Sequence, residues 1–471
     1  MLFRSVFIDQ FTPIAFYRKL EERFSQKRIF LLESAVVNEY GNYSYIFIGE
    51  RERVSYKNSK SSYVDENGNE SDIEIEPLAF LQNYYSKIDT SKYGKMCEEY
   101  GLGFVDGFVG YIGYDLIKEF EPVLKTSMEP LKDETGIADF DMIRPEAVIA
   151  YSHKNCKLLM FTTMENPTID FDEVERLLSD NYGYVELKKP SGTFETKTIL
   201  SDESFKESVL KAKEHIRAGD VFQILVANRI TVDAEVDPYS FYRVLRAKNP
   251  SPYMYLLKYE DFSIAGSSPE VMIKLENGEV LIRPIAGTRK RGKDLKRDLE
   301  LEKEMVNDPK ERAEHIMLVD LARNDIGRVC KSGTVVVGDL MRVERYSHVM
   351  HMVSDVTGFL EEDKDMFDLF RATFTAGTMT GAPKIKAMEI IANLEGVKRS
   401  FYSGSVGYFG FDGNMDFAIA IRTALVQKEK IVFQAGAGVV ADSVPELELK
   451  EIKNKLAANL SSFEELKNIE S

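Results

Sequence analysis

Residues 28–56 alternate between apolar and polar positions in short runs broken at Gly41 and Asn42, a period of two that predicts strands joined by a turn. The stretch 51–75 is polar and loses that pattern, which predicts a surface loop or an edge hairpin. Gly101 to Tyr114 is apolar and glycine-rich. Gly103, Gly107, Gly110 and Gly113 point to close backbone packing, since no Gly-Lys-Ser/Thr follows to make a phosphate loop. Residues 143–163 read as two strands around a turn at His153–Asn155.

Leu187 to Lys197 holds Lys188, Lys189, Pro190, Ser191 and Gly192 with few large apolar residues, and reads as a linker. It separates an N-terminal subdomain, 1–190, from a C-terminal domain, 198–462. Beyond it the period becomes helical. Phe205, Val209, Ala212 and Ile216 form one stripe of Ser204–Arg217, closed by Gly219. Val221–Ile230 follows as a strand with Gln223, Leu225, Ala227 and Arg229 on one face. Asp308 and Pro309 predict the start of a helix reaching about Arg323, and Pro445 the start of another reaching about Leu460. Ile431–Gln434 reads as a strand that ends in a tight turn, Ala435–Gly438. There is no internal repeat. The mixture predicts a mixed α/β chain.

Composition narrows the function. An apolar fraction of 44% over 471 residues supports a large core and excludes disorder as the default. A net charge of -16 excludes a generic nucleic-acid binder, which needs a basic surface. Cys97, Cys156 and Cys330 are odd in number and far apart, so neither a disulfide framework nor a zinc site is expected, and a reducing compartment fits. None lies in a Gly-x-Cys-x-Gly turn. The stretch from Met1 to Phe11 has neither a long apolar run nor a basic leader, so the expectation is a cytoplasmic protein with no membrane span.

On the helix opened by Pro309, Glu311, Glu314, His315 and Leu318 share a face; Glu448, Glu451 and Lys455 do the same on the last helix. Two facing Glu-x-x-Glu pairs offer carboxylate oxygens to a hard cation such as Mg²⁺. Such rows are also common on solvated helix faces. His351 alternates with Met350 and Met352, and Glu270 follows Ser267-Ser268-Pro269 at the edge of an apolar run. Either residue could serve as structure or as chemistry: a strand histidine often packs, and a carboxyl at such an edge donates a proton only if its pKa is raised.

Ordered motifs then accumulate. They are Gly219-Asp-Val-Phe-Gln223, Pro250-Ser-Pro-Tyr-Met254, Gly266-Ser-Ser-Pro-Glu270, Pro284-Ile-Ala-Gly-Thr288 and Glu311-Arg-Ala-Glu-His315. Asp320-Leu-Ala-Arg-Asn-Asp-Ile-Gly-Arg328, His348-Val-Met-His351, Ala376-Gly-Thr-Met-Thr-Gly-Ala-Pro-Lys384, Tyr402-Ser-Gly404, Arg422 and Gln434-Ala-Gly-Ala-Gly438 complete the set. Together they resemble the chorismate-utilising enzymes, and within them the anthranilate-forming branch, over nearly all of 200–460. Leu31-Leu-Glu-Ser34 resembles the tryptophan-sensing motif of that branch.

The resemblance implies an α/β fold of the α+β type, with antiparallel sheets flanked by helices, and it implies roles. Glu314 and Glu451 match Mg²⁺ ligands, supported by Glu311 and Glu448. Glu270 matches the general acid that protonates the departing C4 hydroxyl, with His351 and Thr378 around the ring. Gly287 and Thr288 belong to the substrate motif. Tyr402, Arg422, Ala437 and Gly438 match the pocket for the enolpyruvyl carboxylate, and Lys455 balances the carboxylates. Gln223 stands where water-activating relatives carry a lysine base, and Ala286 where aminodeoxychorismate-forming relatives usually carry a lysine nucleophile. Both point to anthranilate. Asn228, where serine is expected, is a minor departure. The resemblance further implies a heteromer with a glutamine amidotransferase subunit that supplies ammonia, and tryptophan inhibition through Glu33, Ser34, Pro252, Tyr253 and Met254. Two rivals remain: the aminodeoxychorismate reaction, and a non-catalytic metal-binding regulatory subunit.

Overall fold

The chain forms two large antiparallel sheets, each built from strands of both sequence halves. The computed structural model describes residues 2–10, 12–34, 43–180, 182–346 and 349–469. The expected turn at Gly41-Asn42 and the motif residue His348 lie outside the described residues.

The first sheet runs from Leu2–Phe7 through Lys157–Thr162, Ala147–Ser152, Tyr43–Ile48, Ile29–Glu33, Tyr253–Lys258, Phe262–Ser268, Thr423–Gln427, Lys430–Val439 and Gln223–Asp233 to Thr196–Thr198, with Gly381–Ala382 also paired to Gln223–Asp233. The halves join where Glu33 pairs with Met254. In the second sheet Ile285–Lys290, Val349–Phe359, Glu279–Ile282, Val271–Glu276, Met415–Ile419 and Ser405–Gly410 lead into Gly107–Ile112, Phe140–Arg144, Glu52–Lys57, Lys60–Val64 and Glu70–Ile73. Val336–Arg345 pairs with Val349–Phe359 beside that path. Here the halves join where Ser405 pairs with Ile112. The linker thus separates two stretches of sequence that hydrogen bonding makes continuous.

The polar stretch 51–75 ends the second sheet as a meander: Val54 and Tyr56 reach the core, and beyond them most positions are half-buried or exposed, which explains the poor hydrophobic pattern. The glycine run packs closely, as expected. A Cβ on Gly110 would lie 2.2 Å from the Asp141 carbonyl oxygen on the next strand.

Period two along each strand separates two cores. Phe30, Phe47, Leu225 and Tyr255 of the first sheet face Phe108, Phe140, Ile273 and Phe417 of the second. Leu31, Ile224, Val226 and Leu256 point the other way, into a layer of helices. That layer holds Pro13–Arg23, Asp202–Ala218, Pro238–Lys248 and Pro445–Lys467. Ser201 caps Asp202–Ala218 and Gly219 ends it with φ 83°, as the pattern predicts. Pro445–Lys467 continues past the expected Leu460 because Phe463 and Leu466 extend the buried stripe of Ile452 and Leu456. Pro309–Gly327 runs past Arg323 for the same reason, with Ile326 buried. Among the described residues no helix is long and apolar enough to cross a membrane.

Candidate active site

One wall of the site is the ladder between Gln223–Asp233 and Lys430–Val439, in which Leu225 faces Gly438 and Ala227 faces Gly436. The tight turn expected at 435–438 is therefore a correction: these residues continue the strand. Their small size reflects crowding rather than bending. A Cβ on Gly436 would lie 2.4 Å from Leu225 Cδ2 and 3.1 Å from the Tyr402 hydroxyl, and one on Gly438 would lie 2.8 Å from Gln223 Nε2. Gln223 and Tyr402 thus converge on a strip of backbone that carries no side chains. Ala437 sits in the opposite core, so only its backbone can reach this face. Asn228 is also turned away and makes two hydrogen bonds with the Leu200 backbone. Gln223 is buried and its Oε1 has no partner. An orphaned buried acceptor is costly unless a donor arrives.

Across the site, Glu270 ends the turn that follows Phe262–Ser268. Its carboxyl is buried, and burial pushes its pKa up to about 7, against the Thr378 hydroxyl and the Arg422 charge, which pull it down. Thr378 Oγ1 donates to Glu270 Oε1 at 3.0 Å. Arg422 precedes strand Thr423–Gln427 in left-handed backbone (φ 50°), a conformation that concentrates at functional sites. Its surface is open, yet the surrounding protein depresses its pKa. Among the described residues Arg422 has no carboxylate within ion-pair distance, which suits it to an incoming anion. His351 is held by Thr288 Oγ1 and the Gly287 carbonyl at Nδ1, at 3.0 and 3.2 Å, while its buried Nε2 has no partner. Burial and the Arg422 charge lower it to about 4, so the ring is neutral at pH 7. Burial therefore keeps Glu270 a proton donor and His351 uncharged.

The two acidic helices do face one another. Burial raises the Glu314 carboxyl, and the like charges of Glu311 and Glu451 add to the shift, countered by Lys310 and Lys455. Burial and Glu451 likewise raise Glu448, although Ser443 donates to it. Lys455 bridges Glu451, at 2.8 Å, and the Gly436 carbonyl, at 2.9 Å. Arg289 pairs with Glu311 at 2.8 Å. Among the described residues no three His, Cys, Asp or Glu side chains come close enough to enclose a metal ion. Mg²⁺ takes one or two carboxylates and keeps waters, so it needs no such enclosure, and carboxylates facing across two helices are the donors it takes. His315 is not part of it. It is fully buried, bonded through Nε2 to Ser354 Oγ at 2.6 Å, and serves packing.

The expected inhibitor residues line a separate cavity of about 600 Å³ between the sheets, together with Tyr408, Asn414 and Asp416. Ser34, Pro252 and Tyr253 border it, and Tyr253 donates to Asp416 Oδ1 at 2.9 Å. Glu33 and Met254 reach it differently. The Glu33 carboxylate is held on the helical side by Arg246 and Tyr242 at 2.8–2.9 Å, and the Met254 side chain lies in the helical core. Strand alternation decides this, since neighbours of Tyr253 and Leu32 must face away. Pro269 and Val271 border the cavity on either side of Glu270, and Tyr346, also at its edge, packs 5.8 Å from the His351 ring. Arg289, Tyr346 and Arg399 escape sequence reasoning, because lone residues outside any period carry no pattern.

A family model described as chorismate binding enzyme matches residues 26–461. The chain is 41% identical to anthranilate synthase component 1 of Acetivibrio thermocellus over 98% of this chain and 94% of that one. It is 40% identical to the protein of the same name from Aquifex aeolicus, with the same coverage. Among solved structures it resembles anthranilate synthase component I from Streptococcus pneumoniae, with TM-score 0.75 and 31% identity over 90% of this chain and 93% of that one. The menaquinone-specific isochorismate synthase of Escherichia coli shares the fold at TM-score 0.69 and 16% identity, over 98% of this chain and 94% of that one.

Proposed function

The chain belongs to the chorismate binding enzymes, and on that premise we propose that it is a lyase that makes anthranilate, pyruvate and water from chorismate and ammonia. The observation that carries the reading is Glu270, a buried carboxyl raised to about 7, directed by Thr378 and acted on by the charge of Arg422.

Arg422, the Tyr402 hydroxyl and the Gly438 backbone receive the enolpyruvyl carboxylate, and a charge-assisted bond orients the ring. Gln223 Oε1 accepts an N–H of ammonia and aims its lone pair at C2. Glutamine cannot take a proton, and ammonia does not need it to. As nitrogen bonds to C2 both ring double bonds shift and the C4–O bond breaks, and the new ammonium gives one proton to solvent. Glu270 gives its proton to that oxygen, which leaves as water. Neutral His351 borders the ring, with Nε2 free to bond substrate. Loss of the C2 proton to solvent then breaks the bond to the enolpyruvyl oxygen, the ring becomes aromatic, and the departing enolate takes up a proton to become pyruvate. Glu314 and Glu451, backed by Glu311 and Glu448, would hold Mg²⁺, whose charge would anchor the ring carboxylate.

The ammonia comes from a glutamine amidotransferase subunit in a cytoplasmic heteromer. Tryptophan occupies the cavity between the sheets and holds the Glu270 turn in an inactive arrangement. Either Ser34→Ala or Met254→Thr is expected to raise the tryptophan concentration for half inhibition about tenfold or more while turnover persists, the second by moving the strand from behind. Dose curves that match the unaltered protein in both variants would remove tryptophan from this cavity.

The direct test is anthranilate fluorescence from the purified chain with chorismate, Mg²⁺ and ammonium at alkaline pH. Equal yields of anthranilate and pyruvate are expected. Chorismate consumed without pyruvate would mean the aminodeoxychorismate reaction, and no consumption a regulatory subunit.

A further inference from the structure

We propose that Arg399 is a positioning residue that holds three walls of the chorismate pocket in mutual register: the Gln223 strand, the Thr378 turn and the Tyr402 loop. The proposal rests on the function argued above. Arg399 is 1% exposed and cannot meet substrate. Its Nε and Nη2 grip Glu395 Oε2 and Oε1 at 2.9 and 2.6 Å. The same fork reaches two backbone carbonyls, with Nη2 on Leu225 at 2.9 Å and Nη1 on Met379 at 2.7 Å. Its plane lies 4.7 Å from the Tyr114 ring and 5.8 Å from the Tyr402 ring.

Each acceptor belongs to a different part of the site. Leu225 is two residues past Gln223 on the same strand face, Met379 follows Thr378, and Tyr402 is three residues past Arg399. Glu395 completes the clamp, since its Oε1 also accepts from the Ala227 N–H at 2.8 Å. The ring below the guanidinium is anchored too: next to Tyr114, Asp115 accepts from the Ser400 N–H at 2.6 Å. A buried arginine kept only for stability needs its carboxylate. This one spends its remaining donors on the strand and the turn that carry the reacting side chains. A planar five-donor fork can do so, and the point charge of lysine cannot.

The consequence appears at Glu270. Among the described residues Thr378 and Arg422 act on it directly, and Asp325 and Thr373 line with it a cavity of about 30 Å³. If the turn relaxes, the Thr378 hydroxyl no longer stabilises the carboxylate, and the Glu270 proton is held to higher pH.

The test is Arg399→Lys, with Tyr114→Leu as a milder variant that removes the ring beneath the guanidinium and leaves every hydrogen-bond acceptor in place. In Arg399→Lys, kcat per folded molecule is expected to fall about 10- to 100-fold, with a smaller change in KM for chorismate. The alkaline limb of the kcat/KM profile should move to higher pH. Tyr114→Leu should move both in the same direction by less. Loss of activity that only tracks the folded fraction, with the limb unmoved, overturns the proposal, and so does wild-type behaviour in both variants. If Arg399→Lys does not fold, Tyr114→Leu decides by the same criteria. Wild-type enzyme is assayed alongside. Failure of the wild type to make anthranilate refutes the function, whereas wild-type turnover with unaltered variants refutes only the role of Arg399.

Discussion

Glu270→Gln is expected to lower kcat by about 10²- to 10⁴-fold with native folding retained, because the amide keeps the shape and the Thr378 contact but has no proton to give. The pH profile supplies a second check. Burial holds the Glu270 carboxyl at about 7, so the active, protonated form is complete below that pH and is lost as pH rises through it. Ammonia works in the opposite sense, since only its free base attacks. The profile must therefore be expressed per free ammonia, and kcat/KM should then fall above about pH 7. In kcat the limb should lie higher, because bound chorismate brings carboxylates that favour the neutral acid. The residual activity of Glu270→Gln should lack this limb. A variant that keeps the wild-type rate and limb would mean another group donates the proton.

Removal of divalent metal is expected to take activity to background, with recovery on added Mg²⁺. The geometry adds a sharper expectation. Glu314 and Glu451 face each other among like charges, but among the described residues no trio encloses an ion. The chain alone should bind Mg²⁺ weakly, and chorismate should tighten it, since substrate oxygen completes the coordination and linkage makes the coupling reciprocal. Calorimetric titration with Mg²⁺, with and without chorismate, reads this without turnover. Glu448→Gln should raise the Mg²⁺ requirement about 10- to 100-fold, as loss of a supporting carboxylate does elsewhere. Equal Mg²⁺ affinity with and without chorismate would count against a shared site, and full activity in EDTA would exclude the metal.

Local pattern was enough for much of this. The helix starts at Asp308-Pro309 and Pro445, the stripe of Asp202–Ala218 and the period of Gln223–Asp233 are written in neighbouring residues, and the structure contains them. So are the candidate side chains themselves, because their motifs are contiguous. Local pattern misread 435–438, where Ala-Gly-Ala-Gly carries the turn chemistry of a loop. What makes those residues small is Leu225, Tyr402 and Gln223 pressing from other segments, and sequence neighbours do not report that pressure.

The sequence by itself determined the family, through it the antiparallel α+β class, and the residue types available for acid, anion and cation chemistry, since motifs are written in chain-local identity. Tertiary structure alone decided the rest. It raised the Glu270 carboxyl to about 7, because burial is a property of everything packed around it. It turned Glu33 and Met254 away from the cavity they border, because strand register fixes which face a side chain takes. It also gathered the strand at Leu225, the turn at Met379 and the loop at Tyr402 around Arg399, because one guanidinium can hold together segments that the chain keeps far apart.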